Sequence, residues 1–202
     1  VRELRWLYTE TKHMTCHLFT LICWGIVWSY WLYSAWGTKR NQASRQGILL
    51  RVCIRMGSMV SFVLVFYPHL SVAGLGMRWL PENSPLACFG ALLCALGLAF
   101  AIWARHTLGT NWSGEVTLKE DHQLMQTGPY AVVRHPLYAG FLLSMCGTAL
   151  ALGEVRGVLA FALMSATFAK KTYDEEQLMM FQFPGEYPSY KARVARVIPF
   201  LF

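Results

Sequence analysis

The sequence predicts an all-α integral membrane protein with about five transmembrane helices. Three observations carry that expectation. The 202 residues are 55% hydrophobic and only 14% charged, against about 25% charged in an average soluble domain. A single soluble core in a chain this short cannot hide so much apolar surface. The apolar residues are also bunched into runs of about twenty, the length that crosses a hydrocarbon core. The aromatic content of 14%, with eight Trp, excludes a disordered chain.

Residues 1–14 mix charge with aromatics (Arg2, Glu3, Arg5, Trp6, Tyr8, Lys12). They do not read as a signal peptide, because the apolar run that follows is too long and no small-residue cleavage site comes after it. Residues 15–36 contain no Asp, Glu, Lys or Arg, and as a helix they extend about 33 Å. Trp24, Trp28, Trp31 and Trp36 crowd the second half, and the later ones fit an interfacial belt. Residues 48–70 form the second expected span. Arg51 and Arg55 lie one turn apart in it, so they belong near an interface with their side chains snorkelling. Gly74, Gly76, Pro81, Asn83 and Pro85 mark a loop, and residues 84–104 form a third, charge-free span.

From 105 to 134 the chain turns polar, too long a stretch for a plain connector. Residues 137–153 and 158–169 are apolar again, separated by the turn Gly153-Glu154-Val155-Arg156-Gly157. They predict a helical hairpin. The tail predicts helix from 172, a break at Pro184-Gly185, and helix again to Pro199. Organisation follows as a three-helix membrane region, 1–104, joined to a catalytic region, 105–202, in one integrated membrane domain.

Five spans put the termini on opposite sides. Five of the 18 Lys and Arg then fall on the N-terminal side and thirteen on the other, which places the long loop and the tail in the cytoplasm. The same bias explains the net charge of +7 without nucleic acid, and no basic stripe interleaved with aromatics argues for it. The six cysteines form no CxxC pair, so neither zinc nor a disulfide framework is expected; they read as small buried apolar groups. His13, His17, His69 and His106 have no metal-ligand spacing, and no metal is expected. Asn111-Trp112-Ser113 is a glycosylation sequon by letter, on the side where it goes unused.

Two segments on the cytoplasmic side carry the chemistry. The first is Gly128-Pro129-Tyr130, then Arg134-His135-Pro136-Leu137-Tyr138-Ala139-Gly140. Pro136 suits the first turn of a helix, so a helix starts there at the membrane surface, with free N–H groups and a positive dipole end able to hold an anion. Arg134 adds a planar cationic fork. Tyr130 and Tyr138 offer faces to a cation. The second segment brings Asp174, Glu175 and Glu176 after a span, then Phe183-Pro184-Gly185-Glu186-Tyr187-Pro188-Ser189-Tyr190. Acids on a cytoplasmic flank ask for a partner. A ligand with an anionic end, a cationic centre and a hydroxylated sugar satisfies both segments.

The composite pattern Gly-Pro-Tyr-x3-Arg-His-Pro-x-Tyr-x-Gly, followed by the acidic pair and Glu186-Tyr187-x2-Tyr190, resembles the isoprenylcysteine carboxyl methyltransferase family. The phosphatidylethanolamine N-methyltransferases share the Arg-His-Pro-x-Tyr-like part. The resemblance covers about 108–199; the first half matches in hydropathy alone. It implies a membrane methyltransferase using S-adenosyl-L-methionine, bound in a cytosolic pocket made by the 105–135 loop, the start of the fourth helix and the C-terminal tail. Carried over by position, the cofactor contacts are Glu115, His122, Gln123, Leu124, Met125, Tyr130, His135, Pro136, Leu137, Tyr138, Glu175 and Glu176. Arg134 and Glu175 are the expected catalytic residues, with Lys171 and Arg134 on the acceptor. This chain carries Lys171 where the family has a substrate-binding Arg. The acceptor implied is a lipophilic molecule or prenylated thiol compound entering from the bilayer, most simply through a carboxylate; an amine or thiol stays open. Two other readings compete: a nicotinamide-dependent membrane reductase of sterol-reductase type, and a non-enzymatic lipid-binding membrane protein. The acidic pair and the Glu-Tyr-x2-Tyr tail favour the methyltransferase.

Overall fold

A computed structural model of the chain describes residues 2–36, 47–67, 74–81, 85–109, 112 and 124–200, with side chains from residue 15 onward. Among the described residues six α-helices appear in chain order: α1 (Arg2–Ala35), α2 (Ile48–Phe66), α3 (Pro85–Leu108), α4 (Pro136–Leu152), α5 (Val155–Gln182) and α6 (Tyr187–Arg193). A 3-10 turn, Gly128–Ala131, precedes α4. Helices α2, α3 and the 15–35 part of α1 are long and apolar enough to cross a membrane; α4 is apolar but has 17 residues. Each of the first three presents large apolar side chains outward, among them Leu32 on α1, Leu49 on α2 and Leu96 on α3. Apolar faces repeated around the molecule suit lipid rather than water.

The tightest pairing is α3 against α4, antiparallel. A Cβ on Gly97 would lie 2.6 Å from the Gly140 carbonyl oxygen, and one on Gly140 2.6 Å from that of Gly97. Only glycine allows that approach, the usual device where burial of apolar area gives no drive between helices in lipid. Trp24 of α1 fills the centre at 1% exposure. Its indole N–H donates to Thr148 Oγ1 at 3.0 Å, as a buried Trp requires, while its ring stacks on Phe141 and meets Phe62 of α2 edge-on.

The α4–α5 hairpin turns at Gly153, left-handed at φ 66. The 74–80 segment is stitched to this turn through Trp79 N–H to Gly153 O at 3.0 Å and Val155 N–H to Met77 O at 2.9 Å. Arg156, 6% exposed, donates to the Tyr67 carbonyl at 2.6 Å and to Glu154 at 2.6 Å. It thereby caps α2, whose last carbonyls lack helical partners.

Two expectations change. Cys16 and Cys88 form a disulfide across 72 residues, where only free buried thiols were expected. Their helices meet at that point, and no local spacing records such a meeting. The tail differs too. Helix α5 runs unbroken through Asp174, Glu175 and Glu176 to Gln182, and the last helix stops at Arg193 rather than near Pro199. Beyond it the chain is extended and pairs with the residues before α4: Arg134 N–H donates to Ala195 O at 2.8 Å and His135 N–H to Arg196 O at 3.0 Å. Two strand-like backbone bonds satisfy groups that a continued helix would leave to solvent.

Candidate functional site

The site lies at the end of the bundle where α3 and α5 finish and α4 begins. Gly128 supplies the positive φ of 60 that lets the 3-10 turn fold Tyr130 inward. Tyr190 of α6 locks this turn, donating its hydroxyl to the Tyr130 carbonyl at 2.6 Å. Pro136 then opens α4 with His135 as its cap.

Glu176 is a buried hub with no exposed surface. Arg134 reaches its Oε1 from Nε at 3.1 Å and from Nη2 at 3.0 Å. Arg196 reaches the same carboxylate from Nε at 3.0 Å and Nη2 at 2.8 Å, and Lys191 Nζ from 3.2 Å. The remaining nitrogen of Arg134, Nη1, donates to the Lys191 carbonyl at 2.8 Å and to that of Val194. All three guanidinium nitrogens of Arg134 are engaged, and its side chain is 4% exposed. The acceptor contact expected of Arg134 is therefore not open to it. Glu176, expected beside the cofactor, is likewise sealed among cations. Together they clamp the C-terminal segment onto the start of α4.

Glu175 has another role. Neighbours on a helix point about 100° apart, so Glu175 turns toward α4 while Glu176 faces the clamp. Tyr138 donates its hydroxyl to Glu175 Oε1. His135 Nδ1 lies 3.4 Å from Glu175 Oε2, and His135 Nε2 is 3.5 Å from Glu176 Oε1, short of hydrogen-bond geometry. The Glu175 side chain keeps 21% exposure. Burial raises its pKa, but the His135 hydrogen bond and the Lys171 charge outweigh that and hold it below the ordinary value. Glu176 is held well below its ordinary value as well, burial being outweighed by His135, Arg196 and Arg134. Burial alone would lower His135, but the carboxylates of Glu175 and Glu176 beside it raise it above its ordinary value.

Lys171 stands one turn before Glu175, with Nζ 5.3 Å from the centroid of the Tyr138 ring. It borders a cavity of about 160 Å³ lined by Trp28, Trp31, Ser58, Phe62, Trp112, Leu137, Tyr138, Phe141 and Phe168. Residues of four helices and Trp112 thus form an aromatic box bordered by one cationic head group. A larger apolar cavity, about 610 Å³, opens beyond Phe168 between α4, α5 and residues 196–199. Leu137 and Tyr138 border the smaller cavity, and Pro136 and His135 stand directly before them. Tyr130 is buried behind the site. Leu124 and Met125 are half-buried on the chain leading to the turn. Glu115, His122 and Gln123 lie outside the described residues. Trp28, Trp31 and Phe62 were missed as site residues because hydropathy assigns such aromatics to spans and interfaces, and Trp112 because it stood out in the polar stretch only as the middle of a sequon.

A partly exposed ionised carboxylate, a first helical turn with unmatched N–H groups, and aromatic faces make a donor set that fits a zwitterionic, cationic cofactor of the S-adenosylmethionine type. The Lys171 box fits an apolar ligand ending in an anion.

Comparison with known proteins gives four findings. The family model of the isoprenylcysteine carboxyl methyltransferase (ICMT) family matches residues 90–181. The protein-S-isoprenylcysteine O-methyltransferase B of Arabidopsis thaliana is 30% identical over 141 residues, covering 68% of this chain and 66% of the plant protein. The Saccharomyces cerevisiae protein-S-isoprenylcysteine O-methyltransferase is 36% identical over 115 residues, 55% of this chain and 48% of the yeast protein. The solved structure of the eukaryotic intramembrane Ras methyltransferase ICMT superposes with a TM-score of 0.57 at 26% identity, covering 73% of this chain and 52% of that one. The chain thus spans about half to two thirds of the length of the proteins it matches.

Proposed function

The chain belongs to the isoprenylcysteine carboxyl methyltransferase family, and from that premise we propose that it methylates the carboxylate of a lipophilic acceptor, such as a prenylated cysteine, using S-adenosyl-L-methionine. The observation that carries this reading is Lys171, set 5.3 Å over the Tyr138 ring at the rim of an aromatic cavity. An anionic head meets the ammonium there while an apolar tail lies along Trp28, Phe62 and Phe141.

When bound, the cofactor supplies an activated methyl on a cationic sulfur. This chain's residues do the rest. Tyr138, Leu137 and Glu175 border its place, and Tyr138 holds the Glu175 carboxylate by its hydroxyl. Lys171 orients the acceptor carboxylate. A carboxylate with an ordinary pKa near 3.5 is already ionised at neutral pH, so no side chain has to remove a proton. Alignment and the exclusion of water by the aromatic walls are what the protein contributes. Arg134 and Glu176 act through the clamp: they hold the start of α4, and with it Tyr138, in position. Glu115, His122, Gln123, Leu124 and Met125 remain proposed cofactor contacts from the loop.

We read one membrane domain rather than two, since residues of α1 and α2 border the cavity together with those of α4 and α5. The site end is proposed to face the cytoplasm and the N-terminus the other side. The charge count supports this. So does the Cys16–Cys88 disulfide, which lies at the opposite end from the site, because disulfides persist in oxidising compartments.

The test is titration calorimetry on the purified chain in detergent, with S-adenosylmethionine, S-adenosylhomocysteine and NADPH. Methylation of N-acetyl-S-farnesylcysteine is then measured for the parent, Lys171→Met and Lys171→Arg. We expect micromolar binding of the adenosyl ligands. We also expect a KM for the acceptor at least ~10-fold higher in Lys171→Met, restored by Lys171→Arg. Binding of NADPH alone would favour a reductase. Silence toward every ligand from a folded sample would favour a non-enzymatic lipid-binding protein.

A further inference from the structure

One cation at the site end is not explained by the clamp or by lipid contact. Arg105, in the last turn of α3, is 2% exposed. Its Nη2 donates to the Ser34 carbonyl of α1 at 2.6 Å and its Nη1 to the Gly109 carbonyl at 2.8 Å. Its guanidinium carbon lies 4.6 Å from the centroid of the Trp112 ring. The Ser34 carbonyl belongs to the last turn of α1, where no helical N–H reaches it and where the dipole end favours a cation. A single buried fork therefore ties the end of α1, the end of α3 and one indole together. Such a site suits Arg and not Lys, which lacks both the fork and the flat stacking face.

The indole it holds is a wall of the cavity. Trp112 meets Trp31 edge-on at 6.3 Å, Trp31 meets Phe141 at 5.1 Å, and all three border the space beside Lys171. Because α3 and α4 are antiparallel, the end of α3 lies level with Leu137 and Tyr138 at the start of α4. Trp112 therefore stands at the head-group end of the cavity, and Trp28 and Phe62 lie toward the tail. Arg105 itself does not border the cavity, so it reaches a ligand only through Trp112.

We infer that Arg105 is a positioning residue that fixes Trp112 as the head-end wall of the acceptor cavity, and that Trp112 limits the bulk of whatever flanks the acceptor's carboxylate. This rests on the acceptor reading given above. The limit is steric. An indole pinned from behind by a buried cation cannot swing aside, so a bulky substituent next to the carboxylate meets it.

The experiment compares N-acetyl-S-farnesylcysteine with a farnesylated tetrapeptide whose cysteine is C-terminal, and uses N-acetyl-S-geranylgeranylcysteine to vary the tail alone. Affinities are measured by calorimetry and kcat/KM by methyl transfer, for the parent, Trp112→Ala, Trp112→Phe and Arg105→Lys. We expect Trp112→Ala to raise the tetrapeptide-to-acetyl ratio of kcat/KM about tenfold, the scale at which a pocket wall discriminates. Trp112→Phe falls between, and Arg105→Lys moves the ratio in the same direction. The farnesyl-to-geranylgeranyl ratio and the affinity for S-adenosylhomocysteine stay at parent values. General damage to the fold would lower all acceptors together and leave the first ratio unmoved, so that ratio within twofold of the parent in Trp112→Ala overturns the inference alone. A parent that binds S-adenosylhomocysteine but neither acceptor overturns the acceptor reading and this inference with it.

Discussion

Replacing Glu176 by Gln is expected to destabilise the protein by about 3 kcal/mol and to release its C-terminal segment. The carboxylate has no exposed surface and pairs with Arg134, Arg196 and Lys191 at 2.8–3.2 Å. Removing one partner of a buried pair costs about 3–5 kcal/mol, because the other charge stays buried without compensation. Arg134, 4% exposed, is the group left stranded. Its two backbone acceptors and the glutamine oxygen soften the loss, which argues for the lower end of that range. The contrast is with Lys191→Ala and Arg196→Ala, whose side chains are 38% and 39% exposed. Solvent screens these pairs, and each substitution should cost about 0–1 kcal/mol. Unfolding of the detergent-solubilised protein by heat and by SDS gives the ranking. Limited trypsin digestion gives the location, since cleavage after Lys191 and Arg193 should accelerate in Glu176→Gln before global unfolding. If Glu176→Gln costs no more than Lys191→Ala, or the tail stays as protected as in the parent, the clamp does not hold the site together.

Stability should depend on pH with two limbs. His135 is raised in the fold, so its contribution is complete below about pH 6.5 and fades as pH rises through the folded value. Glu175 and Glu176 are lowered, so theirs is complete above about pH 4.5 and fades as pH falls. His135→Gln should flatten the upper limb of a melting-temperature profile and leave the lower one; a parent profile that is flat above pH 6.5 would contradict this. Gly97→Ala should destabilise by about 1–3 kcal/mol, because its Cβ would meet the Gly140 carbonyl at 2.6 Å. The same change at Gly25, where a Cβ meets nothing within 4 Å, should be neutral or stabilising by up to about 1 kcal/mol; equal effects would refute the close approach of α3 and α4. Thiol titration of the denatured, unreduced protein should count four reactive cysteines, rising to six after reduction. Six before reduction would remove the α1–α3 disulfide.

Hydropathy and motif spacing are local, one-dimensional signals, and they reached what such signals can reach. Apolar runs located α2, α3 and the 15–35 part of α1 within about four residues, but not the stretch from Arg2 by which α1 extends ahead of its apolar part. The Gly153–Gly157 turn located the hairpin, because a left-handed glycine leaves its mark in composition. Pro136 located the start of α4 for the same reason. The acidic residues of α5 and the Arg-His-Pro-x-Tyr stretch drew attention to the right end of the molecule.

Packing decided which of those residues face each other. Glu175 and Glu176 are neighbours in sequence and equivalent in composition. The rotation of α5 against α4 sends one to Tyr138 at the cavity and the other into a cage of Arg134, Arg196 and Lys191. Arg134 looked like the acceptor's cation, and the return of residues 194–196 beside it turned it into a clamp. Of the two cations expected on the acceptor, Lys171 is the one that borders the cavity. The disulfide of Cys16 with Cys88, the indole of Trp24 on Thr148, and Arg105 behind Trp112 join residues between 7 and 124 positions apart. Membrane insertion and helix formation depend on the residues within each segment, so the sequence by itself determines them. The angle and depth at which segments meet depend on side chains from several segments at once, and only the tertiary structure resolves them.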